Sequence, residues 1–172
     1  MVKEVVINEH SFRRKIQRLP AHTIDALRGK KVAVTGGAGF VGSHIVDLLV
    51  DADCSEIAIV DNMVRGRPEN LTQVFPHTSI RLVVGDIRNT ELIRELVQGV
   101  DIVFHQAALR ITHCAAEPRA AIEVMINATF NLVEECRRAD VKKVIMASSA
   151  SVYGMAQAFP TSEQHHHYGN RT

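Results

Sequence analysis

The chain has 172 residues, of which 46% are hydrophobic and 23% charged, and this composition is typical of one globular domain with a sizeable core. The formal net charge is +1, which gives no electrostatic argument for a nucleic-acid or anionic-membrane partner. The sequence has no run of 18 apolar residues and its N-terminus lacks an apolar signal core, so we predict neither a membrane-spanning helix nor secretion.

Residues 1–29 come before any strand pattern and are predicted to form an N-terminal extension. Two segments in it, SFRRKIQRL and HTIDALRG, could each form a short helix. A basic, solvated extension packed on the outside of the protein is the favoured interpretation. Residues 30–172 are predicted to form the domain itself.

Short apolar runs recur through the rest of the chain. They are rich in Val and Ile and do not alternate with polar residues, which is typical of strands buried on both faces of a parallel sheet. The runs are KVAVT (31–35), EIAIV (56–60), IRLVV (80–84), DIVFH (101–105) and KVIMA (143–147).

Helical patterns separate these strands, with apolar residues repeating at intervals of three and four around 41–49, 92–97 and 122–133. Thr90 is the predicted N-cap of the second helix, and Pro118 suits the first turn of the third. Alternating strands and helices predict a doubly wound, parallel α/β sheet of the Rossmann type. The expected strand order is 3-2-1-4-5.

The segment VTGGAGFVGSH follows the first predicted strand and opens the first predicted helix. Gly36, Gly39 and Gly42 satisfy G-x-x-G-x-x-G, and Gly37 also gives G-x-G-x-x-G. Glycines at this spacing allow a sharp turn, close approach of the backbone to a pyrophosphate, and tight helix–strand packing. The N–H groups near Phe40 and Val41 are therefore predicted to face the phosphates of a dinucleotide.

Asp61 ends the second predicted strand, where an acid accepts hydrogen bonds from the adenosine ribose and repels a 2′-phosphate. This position favours NAD over NADP. Arg65 and Arg67 leave NADP as an alternative, because an arginine can bind the 2′-phosphate.

Five motifs in order, TGGAGFVGSH, VDNMVRGRPENL, VGDIRN, VFHQAA and SSASVYG, resemble the extended short-chain dehydrogenase/reductase family. The similarity is to its NAD-dependent nucleotide-sugar epimerase/dehydratase branch and covers about residues 30–165. It implies that Asp86 and Ile87 contact the adenine. Ser149 matches the catalytic Ser/Thr of the family. The other cofactor-binding positions that it implies are Asn62, Gln106, Ala107, Ala108, Arg110 and Asn127.

In this family hydride passes between a sugar carbon and NAD while a tyrosinate, with a lysine four residues later, takes the hydroxyl proton. Tyr153 is followed at that spacing by Gln157 and Tyr168 by Thr172, so neither completes the pair. The resemblance therefore implies a cofactor-binding part that stops before its Y-x-x-x-K motif and its C-terminal substrate-binding part. This chain is expected to be inactive alone.

The SAS stretch before VYG lacks the acid that dehydratases and decarboxylases of this branch usually carry there, so a UDP-sugar 4-epimerase is favoured. A dehydratase or decarboxylase, or a non-catalytic NAD-binding module, are the alternatives. The expected partners are a nucleotide-sugar and a second copy of the chain.

The remaining candidates are assigned structural roles. His105 is predicted to be a packed residue, and no metal site is expected from the three consecutive histidines at 165–167. Cys54, Cys114 and Cys136 have no close pairing, which predicts reduced thiols and a cytoplasmic location.

Overall fold

A computed structural model describes residues 19–77 and 79–167. Five strands form one parallel sheet, β1 (Lys31–Thr35), β2 (Glu56–Asp61), β3 (Ile80–Val84), β4 (Ile102–His105) and β5 (Lys143–Met146). Their order is β3-β2-β1-β4-β5. The predicted α/β fold and strand order are therefore confirmed.

One helix precedes β1, and the others lie between the strands. They are α1 (Ala21–Leu27), α2 (Phe40–Asp51), α3 (Thr90–Leu96), α4 (Ile111–Ala116), α5 (Pro118–Ala121) and α6 (Thr129–Arg138). A π-helical segment, Ile122–Ala128, joins α5 to α6, and short 3-10 turns lie at Pro68–Leu71 and Ala150–Tyr153. Pro118 occupies the first turn of α5, as predicted.

The sheet separates two apolar clusters, because successive side chains of a strand point to opposite faces. Val32 and Ile57 pack with Leu49 of α2 on one face, while Ala33 and Val103 lie with Leu132 of α6 in the other cluster. Burying each such Val, Ile or Leu side chain contributes about 1.5–3 kcal/mol. This double layer fixes the strand ends at which the candidate site lies.

Burial on both faces holds for the central strands β1 and β2 but not for the edges. β3 and β5 each keep partly exposed residues, and Val84 and Met146 are 66% and 54% exposed. An edge strand has a neighbour on one side only, so it is covered less completely than a central one.

Two local expectations are corrected by the structure. Asn89, not Thr90, is the N-cap of α3, because its side chain accepts hydrogen bonds from the N–H groups of Glu91 and Leu92. The segment before β1 is also not simply solvated, since it forms α1 and Leu27 is buried against the core. The SFRRKIQRL segment lies outside the described residues, and the boundary at 29–30 stays a prediction.

Candidate functional site

A cleft of about 1390 Å³ opens at the carboxyl ends of the strands. In a doubly wound sheet the connections that follow β1 and β4 run on opposite faces of the sheet. Ligands bind in the crevice that opens between these two neighbouring strands. The predicted site residues that line the cleft are Gly36, Gly39, Phe40, Val41, Gly42, Asp61, Asn62, Asp86, Ile87, Gln106, Ala107, Ala108 and Arg110.

Two glycines of the turn lie too close to backbone atoms to carry a side chain. Gly36 has a φ of +68°, and a Cβ on it would lie 2.7 Å from the nitrogen of Ala107. A Cβ on Gly42 would lie 2.8 Å from the Cα of Gly37. Both positions require glycine, because real Cβ atoms do not approach backbone so closely. The turn leads into α2 at Phe40, and the positive end of the helix faces the cleft.

The Asp61 carboxylate is held by two backbone N–H groups. Ala38 donates to Oδ2 at 3.0 Å and Met63 donates to Oδ1 at 2.9 Å, and the residue is only 7% exposed. A carboxylate has about four acceptor positions, so these two bonds leave others for ribose hydroxyls. Gly66 packs against the carboxylate, with a Cβ there falling 2.5 Å from Oδ1.

Ala38, whose N–H donates to Asp61, is also held through its carbonyl oxygen. It accepts hydrogen bonds from the Asn70 side chain at 2.8 Å and from the N–H of Arg67 at 3.0 Å. Asn70 therefore clamps the glycine turn to the segment after β2. Asn70 was not predicted as a site residue, because its contact spans 32 positions along the chain.

A charged network surrounds Asp86, which follows β3. Arg88 donates from Nε and Nη2 to the two oxygens of Asp86, at 3.0 and 2.8 Å, and reaches Glu123 at 3.2 Å. Asn62 donates to the same carboxylate at 3.4 Å. The hydrogen bond from Arg88 is the main reason that the pKa of Asp86 lies below its usual range. Arg88 is a second residue that the sequence analysis did not assign.

Behind Gln106 and Ala107, a buried chain of hydrogen bonds supports the end of β4. The ring of His105 contacts the Thr35 hydroxyl at 2.7 Å and the Thr129 hydroxyl at 3.0 Å. Thr35 Oγ1 also accepts from the N–H of Ala107 at 3.3 Å. Burial lowers the pKa of His105, which is 7% exposed, so the ring is neutral at pH 7. The predicted packing role of His105 is confirmed.

Two of the predicted site residues lie apart from the cleft. Asn127 is exposed in the π-helical segment and lines a separate pocket of about 240 Å³. Ser149 is exposed after β5, where its hydroxyl accepts a hydrogen bond from the N–H of Ser151 at 3.1 Å and caps a 3-10 turn. The structure therefore does not bring these two side chains to the glycine turn.

The C-terminal segment offers aromatic contacts. The ring of Tyr153 meets those of His165 and His167 edge-to-face, with centroids 6.0 and 5.6 Å apart.

Among residues 19–77 and 79–167, no group of three or more His, Cys, Asp or Glu side chains could hold a metal ion. Within the same ranges no helix is long and apolar enough to cross a membrane. Tyr168 lies outside the described residues.

The glycine turn, the helix N-terminus and the strand-end aspartate define a dinucleotide-binding α/β protein, and these residues fit NAD. The NAD dependent epimerase/dehydratase family matches residues 32–172, so the chain belongs to this family. The predicted family and the predicted NAD cofactor are thereby confirmed.

Relatives and solved structures agree with this assignment. A putative UDP-glucose 4-epimerase of Methanocaldococcus jannaschii is 34% identical over 137 residues, which cover 78% of this chain and 43% of that protein. The UDP-N-acetylglucosamine 4-epimerase of Methanobrevibacter ruminantium M1 superimposes with a TM-score of 0.70 at 36% identity, over 81% of this chain and 44% of that one. A dTDP-glucose 4,6-dehydratase of Streptomyces venezuelae with NAD bound gives 0.69 at 32%, over 74% and 42%. The chain thus spans less than half the length of each.

Proposed function

We propose that this chain is the cofactor-binding part of a nucleotide-sugar epimerase that uses NAD, with a UDP-sugar 4-epimerase favoured. The observation that carries the proposal is the placement of Asp61 beside the glycine turn, buried and held by two backbone N–H groups. A fixed negative charge there accepts ribose hydroxyls and repels a 2′-phosphate. The cleft-lining residues named above, from Gly36 to Arg110, hold the dinucleotide.

The choice of epimerisation rests on the segment after β5. Ala150 and Ser151 stand where an acid of a dehydratase or decarboxylase is expected, so no acid is present to assist loss of water or carbon dioxide. The 4-epimerases of two archaea named above support the same choice. A dehydratase is the second candidate, because the Streptomyces venezuelae dehydratase superimposes almost equally well.

The residues present support binding more than turnover. When bound, NAD supplies the acceptor for a hydride taken from a sugar carbon. Ser149 is proposed to orient the reacting sugar hydroxyl, and a serine hydroxyl needs an adjacent base to take up a proton itself. Tyr153 has Gln157, not lysine, four residues later, so it does not complete the Y-x-x-x-K pair. We therefore expect residues 1–172 alone to bind NAD and not to convert a nucleotide-sugar.

The experiment is a pair of measurements on the 172-residue chain. Calorimetric titration should show tighter binding of NAD than of NADP, and incubation with UDP-glucose should give no UDP-galactose. Equal affinities for the two dinucleotides would contradict the cofactor proposal. Epimerisation by the 172-residue chain would show that a residue other than a Y-x-x-x-K tyrosine is the base. A longer chain that includes a Y-x-x-x-K motif and still binds NAD without turnover would favour a non-catalytic module.

A homodimer and a cytoplasmic location complete the proposal. Ile122, Ile126 and Phe130 lie four residues apart and are 53%, 61% and 64% exposed, which leaves an apolar stripe for a second copy to cover. A monomer in sedimentation equilibrium at tens of micromolar would contradict the dimer.

The free thiols at Cys54, Cys114 and Cys136 suit a reducing compartment, and export of a tagged chain would contradict the proposed cytoplasmic location.

A further inference from the structure

Ala38 lies in the glycine turn with both of its backbone polar groups bonded. Its N–H donates to Asp61 Oδ2 at 3.0 Å. Its carbonyl oxygen accepts from Asn70 Nδ2 at 2.8 Å and from the N–H of Arg67 at 3.0 Å. A carbonyl oxygen has two lone pairs, so Asn70 and Arg67 together occupy both of its acceptor positions.

This carbonyl lies where α2 could begin one residue sooner. In an α-helix an N–H bonds to the carbonyl four residues earlier, so the longer helix would bond the N–H of Gly42 to Ala38. The helix instead begins at Phe40, after Gly39 in an extended conformation with φ −72° and ψ 175°. Its first bond runs from the N–H of Ser43 to the Gly39 carbonyl at 3.0 Å. The N–H of Gly42 therefore comes before the first helical bond and has no partner within the helix.

The N–H groups that precede this first bond belong to residues that line the cleft. Phe40, Val41 and Gly42 are the first three residues of α2, and all three line the cleft. Unbonded N–H groups at the positive end of a helix favour a phosphate. If the N–H of Gly42 turned back to Ala38, an anion in the cleft would lose one of these donors.

Asn70 is itself fixed by the core of the protein. It belongs to the 3-10 turn Pro68–Leu71, and the next residue, Leu71, is fully buried in the same apolar cluster as Leu49 of α2. The side-chain amide therefore reaches Ala38 from a turn that packs with the same helix whose beginning it affects.

We infer that Asn70 is a positioning residue that occupies the Ala38 carbonyl and so keeps the N–H of Gly42 free for a phosphate of the cofactor. The inference rests on the proposed binding of NAD in this cleft. It differs from a general supporting role, because it predicts an exchange of partners. Without the Asn70 amide one acceptor position of Ala38 opens, the N–H of Gly42 bonds to it, and the phosphate loses a donor.

The first measurement needs no ligand. Hydrogen exchange of the Gly42 amide, followed by NMR, should be slower in Asn70→Leu than in the parent chain, because the amide gains a partner within the helix. Leucine is close to asparagine in size but donates no hydrogen bond. Asn70→Ala, a smaller replacement, should slow the same amide. Unchanged or faster exchange at Gly42, or loss of the fold in both variants, would overturn the inference.

The second measurement separates the phosphates from the rest of the nucleotide. ADP and adenosine share the base and the ribose, but only ADP carries a diphosphate. Asn70→Leu should lower the affinity for ADP by about tenfold, as expected when a charged group loses one hydrogen bond, and should leave the affinity for adenosine unchanged. NMR titration measures both affinities. Equal weakening of the two ligands would assign Asn70 a general supporting role and overturn the inference.

Asn131→Leu is the matched control, because the Asn131 amide also donates to a tertiary partner, Thr90 Oγ1 at 3.3 Å, but lies outside the cleft lining. It should leave the Gly42 exchange and both affinities unchanged. Effects as large as those of Asn70→Leu would overturn the inference, and NAD binding by the parent chain would keep the proposed function intact. A parent chain that binds neither ADP nor NAD would contradict the proposed function and the inference with it.

Discussion

Asp61 lines the cofactor cleft and also supports the backbone turns beside it. Its carboxylate lines the cleft, where we propose that it binds the ribose, and it also accepts hydrogen bonds from the N–H groups of Ala38 and Met63 in the turns on either side. A single side chain therefore connects the choice of cofactor to the conformation of the glycine turn. Substitutions at this position are expected to affect both binding and folding.

Asp61→Asn tests this double role. The asparagine amide turns an N–H donor toward one of the two backbone N–H groups, which leaves that donor unsatisfied and should lower the free energy of unfolding by about 1–3 kcal/mol. The loss of the negative charge should also narrow the preference for NAD over NADP. Urea unfolding and calorimetric titration of both dinucleotides measure the two effects.

Asp53→Asn is the matched control, because Asp53 is an exposed acid in the turn after α2 and its φ of 60° suits asparagine. It removes the same charge without touching the cleft. An Asp61→Asn chain as stable as the Asp53→Asn chain would show that the two backbone bonds do not support the turn.

At the level of elements, the strands were predictable because their apolar runs are short, β-branched and separated by helical periods. The cap of α3 was not, since Asn89 and Thr90 are neighbours and both are capping residues. The choice depends on a tertiary contact. The Thr90 hydroxyl accepts a hydrogen bond from Asn131 of α6 at 3.3 Å, while the Asn89 side chain remains beside the helix N-terminus.

The glycines and Asp61 could be placed at the cleft from sequence because their roles depend on a local strand–turn–helix pattern. Arg88, Asn70 and Thr129 could not, because their partners lie 24 to 35 residues away, apart from the bonds between Arg88 and Asp86. Local sequence patterns could not predict that Asn127 and Ser149 lie outside the cleft lining. Ser149 follows the edge strand β5 and Asn127 lies within the π-helical segment, and the positions of both elements depend on packing.

For the molecule as a whole, the buried neutral His105 makes stability depend on pH. Because burial holds its folded-state pKa below the unfolded value of about 6.5, the unfolded chain binds more protons in mildly acidic solution. The stability that this histidine contributes is present above that value and is lost as the pH falls below it. We expect the free energy of unfolding to decrease from pH 7.5 to pH 5.0.

His105→Asn isolates this contribution from the other histidines of the chain. Asparagine keeps a donor and an acceptor near Thr35 and Thr129 but does not titrate, so its stability should fall less steeply over the same range. Urea unfolding of both chains at the two pH values gives the slopes. Parallel slopes would mean that His105 is protonated equally in the folded and unfolded states.

The close approach of Gly36 to β4 has a genetic consequence. A side chain at position 36 would strike the main-chain atoms of Gln106 and Ala107, which every residue type shares, so no substitution at those positions can make room for it. Gly85 differs, because a Cβ there meets a side-chain methyl of Leu92. A screen for second-site suppressors should therefore recover changes at position 92 for Gly85→Ala, and none at 106 or 107 for Gly36→Ala.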